Sequence, residues 1–249
     1  MATDTRMAIP MAERMENTAG AAWLAAMLQA HDSAYPTGAY AHSYGLEGLV
    51  QAGVVRDRAG LAAFLEEQAL PQLARCDLPM TARAWAAAGA EPEPDWESLL
   101  RLSLLCSAMR GTRETRAACE AIGRQRLAMA TMLRGGHALE FSRRSESAGI
   151  VVPLPVATGA EGRWLGAPRE AVLTAAYYGA VSGLVAAAVK LLRLGQNAVQ
   201  ALLAATLAKC NQTLDTALSL PDAALGSANP WWDIASSAHE TATHRLFIS

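Results

Sequence analysis

The chain has 249 residues, of which 52% are hydrophobic, 18% charged and only 6% aromatic, and its formal net charge is −2. That length suits one large domain or two small ones and is enough to bury a sizeable core. The near-neutral balance provides no basic surface of the kind nucleic acid requires.

The first twenty residues are interrupted by Asp4, Arg6, Glu13, Arg14 and Glu16, so they lack the unbroken apolar run of a secretory signal. Residues 1–22 read as a flexible tail and 23–249 as one domain. From Trp23 onward apolar residues recur every three to four positions: Trp23, Leu24, Met27 and Leu28, then Leu46, Leu49 and Val50, then Leu61, Phe64, Leu65 and Leu73. This is the period of amphipathic helices, and it predicts an all-α, single-domain bundle of roughly eight to ten helices.

The punctuation agrees. Asp95 is placed to cap a helix over 96–109, and Thr112 another from Arg113 to about Leu133, ended by Gly135 and Gly136. Segment 142–168 reads as irregular. Within it GIVVPLPV (149–156) is β-branched, but Pro153 and Pro155 lack ladder donors, which leaves at most an edge strand or an extended connection. Residues 171–189 carry no charge and approach the length of a bilayer span. Their many Ala and Gly residues, and Lys190 and Arg193 close behind, favour a buried helix of a soluble protein. Gly179 and Gly183 would there let a neighbouring helix approach. Asn197 starts a helix expected to reach about Leu214, and a last helix is expected from Ile234 to about Arg245.

Chemistry is sparse. Cys76, Cys106, Cys119 and Cys210 are far apart, with no C-x-x-C, which suits buried thiols in a reducing cytosol. No P-loop occurs, since GAEGRWLG (159–166) follows no strand and lacks the lysine. The five histidines form no H-x-x-x-H, and His239 and His244 stand roughly 140° apart on a helix, so no fixed metal site is expected. Glu240 and His244 could pair at i, i+4. His31-Asp32-Ser33 and His42-Ser43 suggest a triad by composition only, because adjacent residues do not present side chains to one another.

One segment concentrates polar and aromatic residues: DSAYPTGAYAHSYGLE, Asp32 to Glu47. Pro36 turns Tyr35 away from helical geometry and Gly38 permits a turn. A helix restarts near Ser43 or Tyr44 with Glu47 in its first turn. Tyr35, Tyr40 and Tyr44 give the bend large contact area with polar tips, suited to a protein interface, and equally able to plug the core beneath the loop.

This segment resembles the D-S-x-[FY]-P-x-G-x-[FY]-x-H-S-x-G-L-E signature of the urease accessory protein UreF family. TRETRAACEAIGRQRL (112–127), YYGAVSGLVAAAVKLLRLGQ (177–196) and HRLFIS (244–249) are similar to further motifs of that family, in the same order. The resemblance implies an all-α nickel-insertion chaperone, not an enzyme, without a permanently bound cofactor. It further implies a cytoplasmic homodimer that joins UreD (also called UreH), recruits the GTPase UreG and acts on apo-urease. GTP would be bound by UreG, and nickel would pass in transit. Lys190 matches a lysine assigned to UreG coupling, with Tyr178 three turns before it, and Arg245 an arginine that organises the chain for UreG. Tyr40 and Tyr44 are candidate partner contacts, and His42 and Glu47 candidate contacts on the nickel path. The other readings are Lys190 snorkelling from a buried helix, Arg245 as a helix-end cation, and His42 and Glu47 as packing and cap. The rival reading is an all-helical metal-dependent hydrolase centred on His42, Asp32 and Glu47.

Overall fold

A computed structural model of the protein describes residues 11–226 and 229–248, with side chains from residue 21 onward. Among the described residues there is no strand. The helices in chain order are α1 (Met11–His31), α2 (Leu46–Gln51), α3 (Arg58–Phe64), α4 (Leu70–Gln72), α5 (Leu78–Ala88), α6 (Trp96–Ala108), α7 (Arg113–Arg134), α8 (Gly136–Ser147), α9 (Leu154–Trp164), α10 (Arg169–Leu191), α11 (Gln196–Leu207), α12 (Cys210–Ser219) and α13 (Pro230–His239). Of the segment 1–22, residues 1–10 lie outside the described residues, and from Met11 the chain is helical.

Local chemistry sets most boundaries. Asp57, Asp95 and Thr112 each cap a helix by accepting from the backbone N–H three residues on, at 2.9, 2.9 and 3.2 Å. The helices α3, α4 and α5 follow one another through two π turns, Leu65–Ala69 and Leu73–Asp77. Each π turn is followed by a Leu-Pro pair ending in Pro71 or Pro79. A proline ring cannot donate and crowds the carbonyl four residues back, and a widened turn relieves both.

Four expectations need correction. Segment 142–168 is not irregular: α8 runs to Ser147 and α9 occupies Leu154–Trp164. The prolines that forbid a strand start α9, where a missing N–H costs nothing because the first-turn donors have no intrahelical partner. The helix expected over 197–214 is two, broken at Ala208 and Lys209. The last helix ends at His239, so Arg245 belongs to a non-helical C-terminal segment and Glu240 pairs with Arg113 at 2.9 Å rather than with His244. Gly179 and Gly183 do not bring a helix close, since added Cβ atoms would meet only His31 and Tyr44 at 3.7 and 3.8 Å.

Close helix approach occurs elsewhere. Helix α9 is buried from Pro155 to Gly162 and packs against α5, α7 and α10. A Cβ on Gly159 would lie 2.2 Å from the Thr81 carbonyl oxygen, and one on Gly123 2.3 Å from the Val152 oxygen. A core of Leu46, Leu49, Phe64, Leu173 and Val181 joins α2, α3 and α10, while Met80, Leu99, Phe141 and Val156 join α5, α6, α8 and α9. Helix α10 is apolar and long enough to cross a membrane, yet it packs here against α1, α2, α5, α9, α11 and α12. Tyr177 ties it to α11 through a 2.6 Å hydrogen bond donated to the Thr206 carbonyl.

One charged knot lies inside the bundle. Glu161 of α9 meets Arg126 at 2.7 Å and Arg134 at 3.1 Å, both from α7, and accepts from the Tyr35 hydroxyl at 3.3 Å. Arg126 also donates to the Ala30 carbonyl at 3.0 Å and lies 3.2 Å from His31 Nε2. Burial first, and the Arg126 charge second, pull the His31 pKa from 6.5 to about 3, so its ring is a neutral acceptor.

Gly159→Ala should destabilise by about 1–3 kcal/mol through overpacking, while Gly195→Ser, in open space at a helix N-cap, should change stability by less than about 0.5 kcal/mol; thermal unfolding reads both. Glu161→Gln leaves Arg126 without its buried counter-charge and should cost about 3–5 kcal/mol by denaturant titration. Unfolded His31 takes up a proton near pH 6.5 and the folded ring near 3, so folding holds fewer protons between those values. Its contribution is full above pH 6.5 and declines as pH falls toward 3. His31→Gln, which keeps an acceptor for Arg126 but does not titrate, should therefore lose less stability than the natural chain on acidification; equal slopes would remove this account.

Candidate functional site

The polar signature folds as a chain of tight turns. Asp32 Oδ1 accepts from the Ala34 N–H at 2.7 Å, an Asx turn, and the Tyr35 N–H bonds back to the Asp32 carbonyl at 3.0 Å. Gly38, at φ 78°, opens a 3-10 turn over Ala39–Ala41. Tyr44 (φ 54°) and Gly45 (φ 86°) then take the left-handed region in succession. This brings the Tyr44 carbonyl 2.7 Å from the Trp232 indole N–H on α13. A Cβ on Gly45 would come 2.5 Å from that same indole nitrogen, and one on Gly48 2.3 Å from the Ala235 oxygen. Both glycines are therefore fixed by how closely α2 and α13 approach.

That approach buries Glu47, in the first turn of α2, to 3% exposure. Ser43 Oγ accepts the Glu47 N–H at 3.3 Å. The carboxylate faces inward and is saturated. Oε1 accepts from the Leu246 N–H at 2.8 Å and Gln51 Nε2 at 3.3 Å, and Oε2 from the Phe247 N–H at 3.0 Å. Oε2 also lies 3.0 Å from His239 Nε2. On the other side of the ring, Nδ1 lies 2.9 Å from Glu114 Oε2, and Glu114 Oε1 accepts from Arg245 Nη1 at 2.7 Å. An imidazole between two carboxylates can donate to both only when it carries a proton on each nitrogen. Gln51 donating to the His244 carbonyl at 2.9 Å, and the Ile248 N–H donating to Ala41 at 2.8 Å, complete a clasp. It fastens residues 244–248 onto the signature.

The clasped segment borders a cavity of about 1200 Å³. Its walls include α1, the signature turns, the start of α7 and one side of α10. Phe247 stands on the rim with Lys190 Nζ 5.1 Å above its ring centre, a cation–π contact. Ala175, Gly179, Ser182, Gly183 and Ala186 form the α10 wall, with Tyr178 and Lys190 among them. Cβ atoms added at Gly179 and Gly183 there would meet nothing nearer than His31 at 3.7 Å and Tyr44 at 3.8 Å. Tyr44 and His42 also line the cavity, and Tyr40, 75% exposed, marks its outer edge. Burial pushes the Tyr44 hydroxyl upward. It lowers His42, with the Glu114 charge opposing, which favours the neutral, lone-pair-bearing ring.

The candidates thus separate into two groups. Lys190, Tyr178, Tyr40, Tyr44 and His42 share the cavity, whereas Glu47 and Arg245 belong to the clasp behind it. Asp32 sits at the cavity wall with its carboxylate bonded to its own turn, and Glu47 is committed to the C-terminal segment. Among the described residues no three His, Cys, Asp or Glu side chains converge to hold an ion, so the hydrolase centre of His42, Asp32 and Glu47 is not assembled. Sequence reasoning missed His239, Glu114 and Gln51. Gln51 lies four residues after Glu47 on α2, a spacing that could have found it, whereas Glu47 and His239 are 192 positions apart, beyond any local signal.

The family model for UreF matches residues 55–207, more than half of the chain. The urease accessory protein UreF of Granulibacter bethesdensis is 34% identical over 94% of this chain and 97% of its own length. That of Nitrosococcus oceani is 31% identical over 86% and 93%. The bifunctional urease accessory protein UreEF of Bordetella bronchiseptica is 31% identical over the whole chain and 58% of that longer protein. The chain belongs to the UreF family of urease accessory proteins, which serve urease maturation and are not themselves enzymes.

Proposed function

We propose that this chain joins UreD (UreH) and recruits the GTPase UreG, so that GTP hydrolysis by UreG drives nickel delivery into apo-urease. The complex works in the cytoplasm and contains the chain as a homodimer. Nickel passes as cargo, and GTP is held by the partner.

The observation that carries this reading is the clasp. It sets the Arg245 end of the chain beside α7 and puts Phe247 under Lys190, so both cations matched to UreG contact are held by the same clasped segment. Tyr178, 45% exposed, extends the cavity rim along α10, and Tyr40 extends it across the signature. Exposed aromatic rings beside fixed cations are the composition of protein-binding centres. The cavity behind the rim supports passage of an ion. Its wall carries scattered His, Cys and Asp side chains, His42 among them, and no three of them among the described residues converge to hold an ion. Glu47 acts in this proposal through the clasp and not as a nickel ligand, because its lone pairs are already taken. The fused UreEF relative supports placing the chain next to other accessory proteins.

Lys190→Glu should leave the fold and UreD capture unchanged while lowering urease activation in a complementation assay at least about tenfold, as expected for a charge reversal in a partner contact. Unchanged activation would overturn the assignment. Arg245→Ala should weaken UreG capture while UreD is still retained, and equal loss of both partners would indicate a folding defect instead.

A further inference from the structure

The clasp turns on a ring caught between two carboxylates. The His239 side chain is fully buried, with Nε2 3.0 Å from Glu47 Oε2 and Nδ1 2.9 Å from Glu114 Oε2. Both acids are met as anions, Glu47 by the Leu246 and Phe247 N–H groups and Gln51, and Glu114 by Arg245. Ionised carboxylate oxygens only accept, so each ring nitrogen needs a hydrogen of its own to bond. An imidazolium satisfies both contacts. The neutral ring satisfies one and turns a bare lone pair toward the other carboxylate.

The charges around the ring make that proton matter. Helix α2 contributes Glu47, α7 contributes Glu114, and the C-terminal segment contributes Arg245, so with an imidazolium the four groups sum to zero. With a neutral ring they carry one uncompensated negative charge in the interior, which is costly. The neighbouring groups do not replace it. Arg113 is spent on Glu240 at 2.9 Å, and Lys190 stands over the Phe247 ring. His42, on the signature, is kept from charging by burial, and the His244 ring is exposed. Asp233, earlier on α13, lies against Gly111 and would only add negative charge.

We propose that His239 is a proton-operated latch: the doubly protonated ring holds residues 244–248 on the signature, and loss of one ring proton as pH rises releases them. The closed clasp keeps the proton that the open one gives up, so closure is favoured at lower pH and weakens as pH rises. Release takes Arg245 away from Glu114 and Phe247 from beneath Lys190. On the UreG reading above, this withdraws the partner contact. The latch itself is a property of this chain, and its test needs no partner.

Tryptic cleavage of the full-length chain after Arg245, measured against cleavage after Arg56 in the exposed turn before α3, tests this between about pH 6 and about pH 9. The ratio cancels the protease's own response to pH. Cleavage follows the population of the open segment, so the ratio should rise at least about fivefold toward the alkaline end. Nitrogen NMR of the histidine rings should show His239 protonated on both nitrogens at the acid end, losing one proton over the same range. In His239→Gln, whose amide cannot titrate and donates from one nitrogen only, the ratio should be high and independent of pH. A ratio that stays constant in the natural chain, a singly protonated ring while cleavage after Arg245 is still suppressed, or a His239→Gln profile that follows the natural one would overturn the proposal.

Discussion

The Glu47 carboxylate is the interaction on which the C-terminal clasp depends. A charged group at 3% exposure is tolerated only when its lone pairs are met by donors, and here they come from Gln51, His239 and the backbone of Leu246 and Phe247. Three stretches distant in sequence are held by one side chain. Removing any donor strands charge in the interior, so the clasp is all-or-none in character. It is also what gives the signature its tight glycines. Gly45 and Gly48 let α13 come close enough for His239 to reach Glu47.

Helix α10 is shaped by the opposite requirement. Tyr177, Val181, Leu184 and Val185 are buried, Tyr177 and Leu184 also reaching the cavity, whose α10 side is otherwise mostly alanine, glycine and serine. Small residues there keep space open. They also remove the charges that would otherwise mark a surface, which is why the helix has the composition of a membrane span while packing inside the bundle. Its last turn carries Lys190 over Phe247, so the cavity wall and the clasp meet at one cation.

Much of the fold was legible because its causes are local. Asp95 and Thr112 cap the helices their positions imply, and apolar spacing fixes the helical class. The errors arose where one local rule competed with another. Pro153 and Pro155 exclude a strand, but they also begin a helix well, and only packing of Gly159 against Thr81 decides between those uses. The break at Lys209 and the π turns before Pro71 and Pro79 likewise depend on what lies against them. At the site, resemblance marked Arg245 and Lys190 without saying how they are held. His239 carries no local motif, and nothing within the 112–127 motif singles out Glu114; their roles follow only from the contacts the His239 ring makes with Glu47 and Glu114.

The central claim is that the Glu47 carboxylate fastens the C-terminal segment that presents Arg245 and sets Phe247 beneath Lys190. Amide hydrogen exchange at Leu246 and Phe247, compared between the natural chain and Glu47→Gln, tests it most directly. The account predicts strong protection of both amides in the natural chain and its selective loss in the variant, with α5 and α9 still protected. Protection of Leu246 and Phe247 that survives the substitution would contradict it.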